Sequence, residues 1–216
     1  MARRLVIKWG TGEKVTARLA VPASAEGVGV LLAHGAGAGQ DHPFMVTLRE
    51  ALAGHGFTVM TFNYAYTEAG RRAPDRLPKL LEVHRAAADR LSAYCESVVI
   101  AGKSMGGRVG SHLAGDEGWP AVALVYYGYP LVPLGKSEPR DTAHLDNILA
   151  PQLFFAGTRD RLGPPELIMQ LARRLPAAST EVVEGGDHSF KVPKATGLNH
   201  DEVIASLATS TARWLG

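Results

Sequence analysis

Three residues of this chain are of the types that together turn a hydroxyl into a nucleophile: Ser104, Asp160 and His188. A serine hydroxyl is too weakly acidic to attack an ester unaided. A histidine must take its proton and return it to the leaving group, while a carboxylate orients the imidazole and stabilises its cation. Ser104 stands in Gly102-Lys103-Ser104-Met105-Gly106, the form of a tight strand-to-helix elbow that holds a serine exposed at its apex. The two glycines have a steric role, because a Cβ at either place would collide with the neighbouring strand or helix. Glycine makes up 24 of the 216 residues, so the pattern alone is weak and its context must carry the reading.

That context is the order of elements. An apolar run, Ser97–Ala101, leads into the motif, and a helix-like segment rich in small residues follows it to Ala114. Near the start, the alternating segments Leu5–Trp9 and Val15–Val21, separated by Gly10-Thr11-Gly12, read as an antiparallel hairpin. Val28–Ala33 is continuously apolar, as expected of a strand buried on both faces of a parallel sheet. Further strands are expected at Thr58–Asn63, Ala121–Tyr127, Gln152–Ala156 and Thr180–Val183, with helices at Pro43–His55, Pro74–Tyr94, Pro164–Leu175 and Asp201–Leu215. Strand and helix alternate after the hairpin, which predicts an α/β fold: a mostly parallel eight-stranded sheet with helices on both faces. At 216 residues and 46% hydrophobic content, one domain over 1–216 with a single sizeable core is expected. Between Tyr127 and Gln152 there is room for a short loop and one helical turn around Ala143–Leu149, and none for a large lid domain.

Ligands of open α/β sheets bind beyond the carboxyl ends of the strands. Ser104, Asp160 and His188 each follow such a strand end, in that chain order. The oxyanion formed on attack needs preplaced donors. The backbone N–H of Met105, at a helix start, would be one, and that of Ala36 or its neighbour, in His34-Gly35-Ala36-Gly37-Ala38-Gly39, the other. Tyr64, Tyr66, Tyr129 and Leu131 lie just past other strand ends and are the expected walls of a substrate pocket. Plainer roles stay open: Ser104 as a helix N-cap, Asp160 as a turn or cap residue, His188 as a loop histidine. Among competitors, Asp141 and Asp146 precede the Gln152 strand, Asp187 abuts the histidine, His200 opens the last helix, and His34 is expected to shape the oxyanion loop.

Other chemistries fit poorly. Gly102-Lys103-Ser104 is the tail of a phosphate-cradling P-loop, but Ser97 stands where its first glycine is required. A dinucleotide fingerprint counted from Gly35 fails at Gln40. No His/Cys/Asp cluster has metal-ligand spacing, and the chemistry calls for no cofactor. A net charge of +2 with scattered basic residues is no footprint for nucleic acid. The single cysteine, Cys95, reads as a packing residue and suits a reducing compartment. The basic start, Met1-Ala2-Arg3-Arg4, is followed by too short an apolar stretch for a signal peptide, and no apolar run reaches membrane-spanning length. The expectation is a soluble cytoplasmic protein with no membrane partner.

Over nearly its full length the chain resembles the α/β-hydrolase superfamily. The segments that carry the resemblance are His34–Gly39, Ala101–Arg108, Tyr127-Gly128-Tyr129-Pro130-Leu131, Gly157-Thr158-Arg159-Asp160 and Gly186–Lys191. Within the superfamily it is most similar to a group of small hydrolases near the dienelactone hydrolases, which also resembles the hydrolase-like domain of an animal histone-acetyltransferase complex subunit. The resemblance implies the α/β-hydrolase fold and Ser104, Asp160 and His188 as a catalytic triad. Dienelactone hydrolases proper use cysteine where this chain has Ser104, which argues against a dienelactone substrate. The expected activity is therefore hydrolysis of a small-molecule carboxylic ester or thioester through an acyl-enzyme on Ser104. A ligand-binding or scaffold protein on the same fold, and an acyltransferase using the same triad, remain open alternatives. Lys103 has two readings: with Arg108 it attracts an anionic acid moiety, or its stem packs under the elbow and its ammonium pairs with a carboxylate such as Asp187. The second is the expectation, since the residue before the nucleophile tends to be aimed away from substrate.

Overall fold

The computed structural model describes residues 2–25 and 27–216; Met1, from the basic start, and Glu26 lie outside the described residues. Eight strands form one sheet: β1 (Arg3–Trp9), β2 (Glu13–Ala20), β3 (Val28–Ala33), β4 (Thr58–Phe62), β5 (Ser97–Lys103), β6 (Ala123–Tyr127), β7 (Gln152–Gly157) and β8 (Ala178–Val183). Their spatial order is β1-β2-β4-β3-β5-β6-β7-β8. The hairpin β1–β2 and the β2–β4 pair are antiparallel, and every later pairing is parallel. From β3 the chain passes to β4 on one side, then returns to β5 on the other. That reversal is a topological switch point, where open α/β sheets bind ligands. The elbow at the end of β5 and the glycine-rich loop at the end of β3 both sit there.

Helices cover both faces. On one face α3 (Leu77–Ser92), α4 (Met105–Gly115), the single turn α5 (Ala143–Asp146) and α6 (Pro165–Arg174) pack their apolar stripes on the sheet. On the other lie α1 (Pro43–Gly54) and α7 (His200–Leu215), in contact with each other. The remaining short helix, α2 (Ala65–Glu68), and a 3₁₀ turn at Lys194–Thr196 were not expected. The connection between β6 and β7 holds only α5, at the place foreseen, and no lid.

The helix starts that matter for the site follow from local chemistry. α1 begins at Pro43, which gives up no hydrogen bond there, and the Phe44 N–H donates to Nδ1 of the capping His42 at 3.2 Å. α7 opens with a reciprocal cap: Asn199 accepts from the Glu202 N–H at 2.9 Å, and the Glu202 carboxylate accepts from the Asn199 N–H at 2.7 Å. α3 starts at Leu77 and not at Pro74. A helix running through Pro78 from Pro74 would lose that bond and clash the ring with the Pro74 carbonyl, so Pro78 is tolerated only in the first turn. Among the described residues, no helix is long and apolar enough to cross a membrane.

Candidate active site

The elbow is held by two close backbone approaches. A Cβ at Gly102 would lie 2.2 Å from the Gly107 nitrogen, inside α4, and one at Gly106 would lie 2.4 Å from the Ala33 carbonyl oxygen, at the end of β3. Only hydrogen fits at either place, as the motif requires. Between them Ser104 adopts φ +50° and ψ −117°, a region that side-chain-bearing residues rarely occupy. Its side chain makes no capping hydrogen bond to α4, so the N-cap role is not the one observed. Among the described residues, the other non-glycine residue with positive φ is Phe190, at +60°, two residues after His188.

The three expected residues come together. His188 Nε2 lies 2.8 Å from the Ser104 hydroxyl, and His188 Nδ1 lies 2.8 Å from Asp160 Oδ2. The Asp160 side chain is fully buried and its other oxygen accepts the N–H groups of Leu162 and Gly163, at 2.8 and 3.1 Å. Burial alone would push this carboxyl up. The His188 contact and the two N–H donors outweigh it and leave the carboxyl below its ordinary value. A fixed carboxylate, an imidazole and a hydroxyl in line can pass a proton from Ser104 to His188 without net movement of heavy atoms.

The competitors are otherwise engaged. Asp187 accepts the N–H groups of Ser189 and Lys191 through one oxygen, at 2.8 and 2.9 Å, and so shapes the loop that carries His188. Among the described residues, the His200 ring donates from Nε2 to the Ser189 carbonyl, 2.8 Å away. Asp141 accepts from the Ala143 N–H, and Asp146 pairs with Arg174. His34 is buried; its Nδ1–H donates to the Gly35 carbonyl at 2.8 Å and its Nε2 accepts from the Tyr64 N–H at 3.3 Å. Burial pushes its pKa down to about 4, so the ring stays neutral and braces the loop after β3. In that loop Ala36 is exposed beside the cavity. Among the described residues, neither the Ala36 N–H nor that of Met105, at the first position of α4, donates to a protein acceptor. Cys95 is half-buried, hydrogen-bonded to the Leu91 carbonyl, and its thiol is pushed up by burial, as a packing residue's should be.

A cavity of about 380 Å³ opens on Ser104, lined by Gly35–Ala38, His42, Phe44, Met45, Lys103, Leu162, His188, Ser189, Lys191 and His200. The four residues expected as its walls are not among them, and this corrects the sequence reading. Tyr64, Tyr66, Tyr129 and Leu131 are all buried in the core on the α3/α4 face. The Tyr64 hydroxyl pairs with His84 at 3.0 Å, and the Tyr129 hydroxyl lies 3.4 Å from His144. The cavity opens on the opposite face, where Phe44 of α1 stacks on Phe190 and His200 of α7 closes on Phe44. Being next to a strand end does not say which face a side chain takes.

Lys103 also departs from expectation. It is the last residue of β5, 9% exposed, and it lines the cavity. Its ammonium lies 5.8 Å from the Phe190 ring and forms no ion pair with Asp187 or any other described residue. Burial pushes its pKa down to about 8, against the pull of Asp160 and Asp187. Arg108, its supposed companion, is not a lining residue and stands near Tyr129 and Arg140. Among the described residues, no group of three His, Cys, Asp or Glu side chains is placed to hold a metal ion.

Comparison with known proteins agrees with this architecture. A family model described as an alpha/beta hydrolase domain matches residues 26–216. Among solved structures, an alpha-beta serine hydrolase homologue from Coxiella burnetii superposes with a TM-score of 0.78 at 17% identity, over 99% of this chain and 97% of that one. A lidless serine hydrolase from Xanthomonas campestris gives 0.76 at 17% identity, over 99% and 94%. The Butyrivibrio proteoclasticus protein Est1E gives 0.74 at 16%, over 96% of both chains, and one of its structures holds ferulic acid. At such identities the likeness is one of fold.

Proposed function

The chain belongs to the alpha/beta hydrolase domain family, and from that premise we propose that it is a serine hydrolase acting on small carboxylic esters or thioesters through an acyl-enzyme on Ser104. The observation that carries the proposal is the unbroken contact from Ser104 to His188 to Asp160, at 2.8 Å for each step, opening on a cavity next to unengaged N–H groups. Neighbours of the same fold described as a serine hydrolase or as esterases are consistent with it.

In this reading His188 rests with its proton on Nδ1, donating to Asp160, and accepts from the Ser104 hydroxyl at Nε2. As Ser104 Oγ attacks the substrate carbonyl, its proton passes to Nε2, and Asp160 steadies the imidazolium so formed. The carbonyl oxygen gains negative charge and is met by the N–H groups of Met105 and Ala36. Each such donor is worth on the order of 10²–10³ in turnover. The imidazolium gives its proton to the departing alkoxide or thiolate, leaving an ester on Ser104. Water, deprotonated by the same nitrogen, then releases the acid.

A fluorophosphonate probe tests the proposal. It should form a covalent adduct on Ser104 in the folded protein and none in Ser104→Ala. Failure to label a folded sample would leave the fold in use as a binding module instead. Labelling together with turnover only in the presence of an alcohol or thiol acceptor would make the enzyme an acyltransferase.

A further inference from the structure

We propose that the cavity selects substrates carrying a negative charge: a small ester or thioester with a carboxylate or comparable anion placed against Lys103 and Lys191. This rests on the hydrolase reading for its turnover but not for its binding.

The first ground is the sign of the lining. Apart from His188, the ionisable side chains on the cavity wall are His42, Lys103, Lys191 and His200, and no aspartate or glutamate is among them. They are close enough to feel one another: burial lowers the His42 pKa, and His200, Lys191 and Lys103 lower it further.

The second ground is Lys103 itself. A buried ammonium without a partner is costly, and a folded chain normally pairs or hydrogen-bonds it. The Lys103 side chain is largely buried, at 9% exposure, and its ammonium makes no side-chain hydrogen bond or ion pair among the described residues. Neither nearby acid forms an ion pair with it among the described residues, although Asp187 uses only one oxygen for its N–H donors. Asp160 gives one oxygen to two N–H groups and the other to His188, and Asp187 holds the N–H groups of Ser189 and Lys191. A Cβ placed on Gly128 would be 3.3 Å from the Lys103 ammonium, 3.3 Å from the His188 carbonyl and 3.4 Å from Asp160 Oδ2. The ammonium therefore lies close to Gly128 and the His188 loop, while the Lys103 side chain contributes to the cavity lining. Phe44, Met45 and Leu162 supply apolar wall around it. An anion on the substrate would give this charge the partner the protein withholds, in a setting where water competes poorly. The role assigned to Lys103 is recognition. A charge that merely tuned His188 would change the rates of charged and neutral esters alike.

Two pairs of substrates locate the charge. On the acyl side, mono-p-nitrophenyl glutarate is compared with p-nitrophenyl pentanoate, after subtracting spontaneous hydrolysis. On the leaving side, 4-carboxyphenyl butyrate is compared with 4-carbamoylphenyl butyrate. In the wild-type enzyme at least one pair should favour the anion by roughly 10- to 100-fold in kcat/KM, the range of a hydrogen bond to a charged group. Lys103→Met should collapse that ratio, and Lys191→Met should reduce it less. A ratio at or below one in both pairs overturns the proposal on the wild-type protein alone, whether or not Lys103→Met folds. So does a ratio that a folded Lys103→Met leaves intact. Calorimetry on Ser104→Ala separates the two readings. Glutarate should bind and pentanamide should not. If glutarate binds while no ester is turned over and Ser104 does not label, the hydrolase reading fails and the anion site stands.

Discussion

Gly106→Ala puts the positioning of the candidate site to a direct test. The added methyl would lie 2.4 Å from the Ala33 oxygen, 2.6 Å from the Ala33 carbonyl carbon and 2.7 Å from the His34 oxygen. All three are backbone atoms that no rotamer change can clear. To reach ordinary contact at 3.4 Å, α4 and the end of β3 must part by about 1 Å, the difference between the two distances. Met105 opens α4, and Ala36 lies in the loop that leaves the end of β3, so the two N–H groups move apart with them. Overpacking of this kind costs about 1–3 kcal/mol, and a 1 Å misplacement of catalytic groups costs on the order of 10²-fold in rate. The assay is kcat/KM on p-nitrophenyl butyrate together with a urea midpoint. Gly110→Ala serves as control. Its methyl would be 2.4 Å from the Ile100 Cγ2 and 3.2 Å from a His84 ring carbon, both side chains in the core, so it should lose stability of the same order with little loss of rate. A folded Gly106→Ala protein with wild-type kcat/KM, or a Gly110→Ala protein as impaired in rate as Gly106→Ala, would refute the reasoning.

Ser104→Ala and His188→Ala should each lower turnover by on the order of 10⁶, and Asp160→Ala by less; wild-type rates in any of them remove that residue from the mechanism. Tyr129→Phe should cost about 0.5–1.5 kcal/mol in a denaturation curve, the value of its lost hydrogen bond, and leave KM unmoved, since the phenol faces the core; a raised KM would return it to the pocket. Stability should fall on acidification, beginning below the ordinary histidine value of 6.5. Burial holds His34 at about 4 and His84 at about 3, so between those values and 6.5 the unfolded chain binds more protons than the folded one. The loss grows as pH drops through that window, by up to roughly 1.4 kcal/mol per pH unit for each histidine. A melting temperature flat from pH 7 to 4 would contradict it, and the slope should be shallower in His84→Gln.

The order of elements was readable because the central strands are buried on both faces and appear as apolar runs, as in Val28–Ala33 and Ala123–Tyr127, whereas the partly exposed edge strand β8 shows only Val182-Val183 at its end. Boundaries were less so. Ser97–Lys103 runs two residues past the apolar segment, because backbone pairing with β6 continues through Gly102 and Lys103 whatever their hydropathy. α2 escaped notice since four residues, Ala65–Glu68, are too few for any periodicity to register. The meeting of Ser104, Asp160 and His188 was legible because strand-end loops converge at one edge of a parallel sheet, and chain order together with glycine punctuation marks those loops.

The walls of the cavity were not legible, and the reason lies in how a site is divided between the two faces of a sheet. Tyr64, Tyr66 and Tyr129 are aromatic, polar-tipped and next to strand ends, all of which suits a pocket, but those properties suit a hydrogen-bonded core equally well. What decides is whether the side chain leaves the backbone toward α3 and α4 or toward α1 and α7. That depends on strand register at the last residue and on turns too irregular to extrapolate. The true walls come from contacts remote in sequence: His42 and Phe44 at the start of α1 meet His200 at the start of α7, brought there because the two helices pack together. The available signals were helix-start signals, Pro43 after His42 and the Asn199–Glu202 cap. They locate where those helices begin, and hence that His42 and His200 stand at the strand-end side of the sheet. Lys103 follows from the same argument. Because side chains alternate along β5, its direction is fixed by the strand and not by its preference for water, which is why a lysine ends up largely buried there.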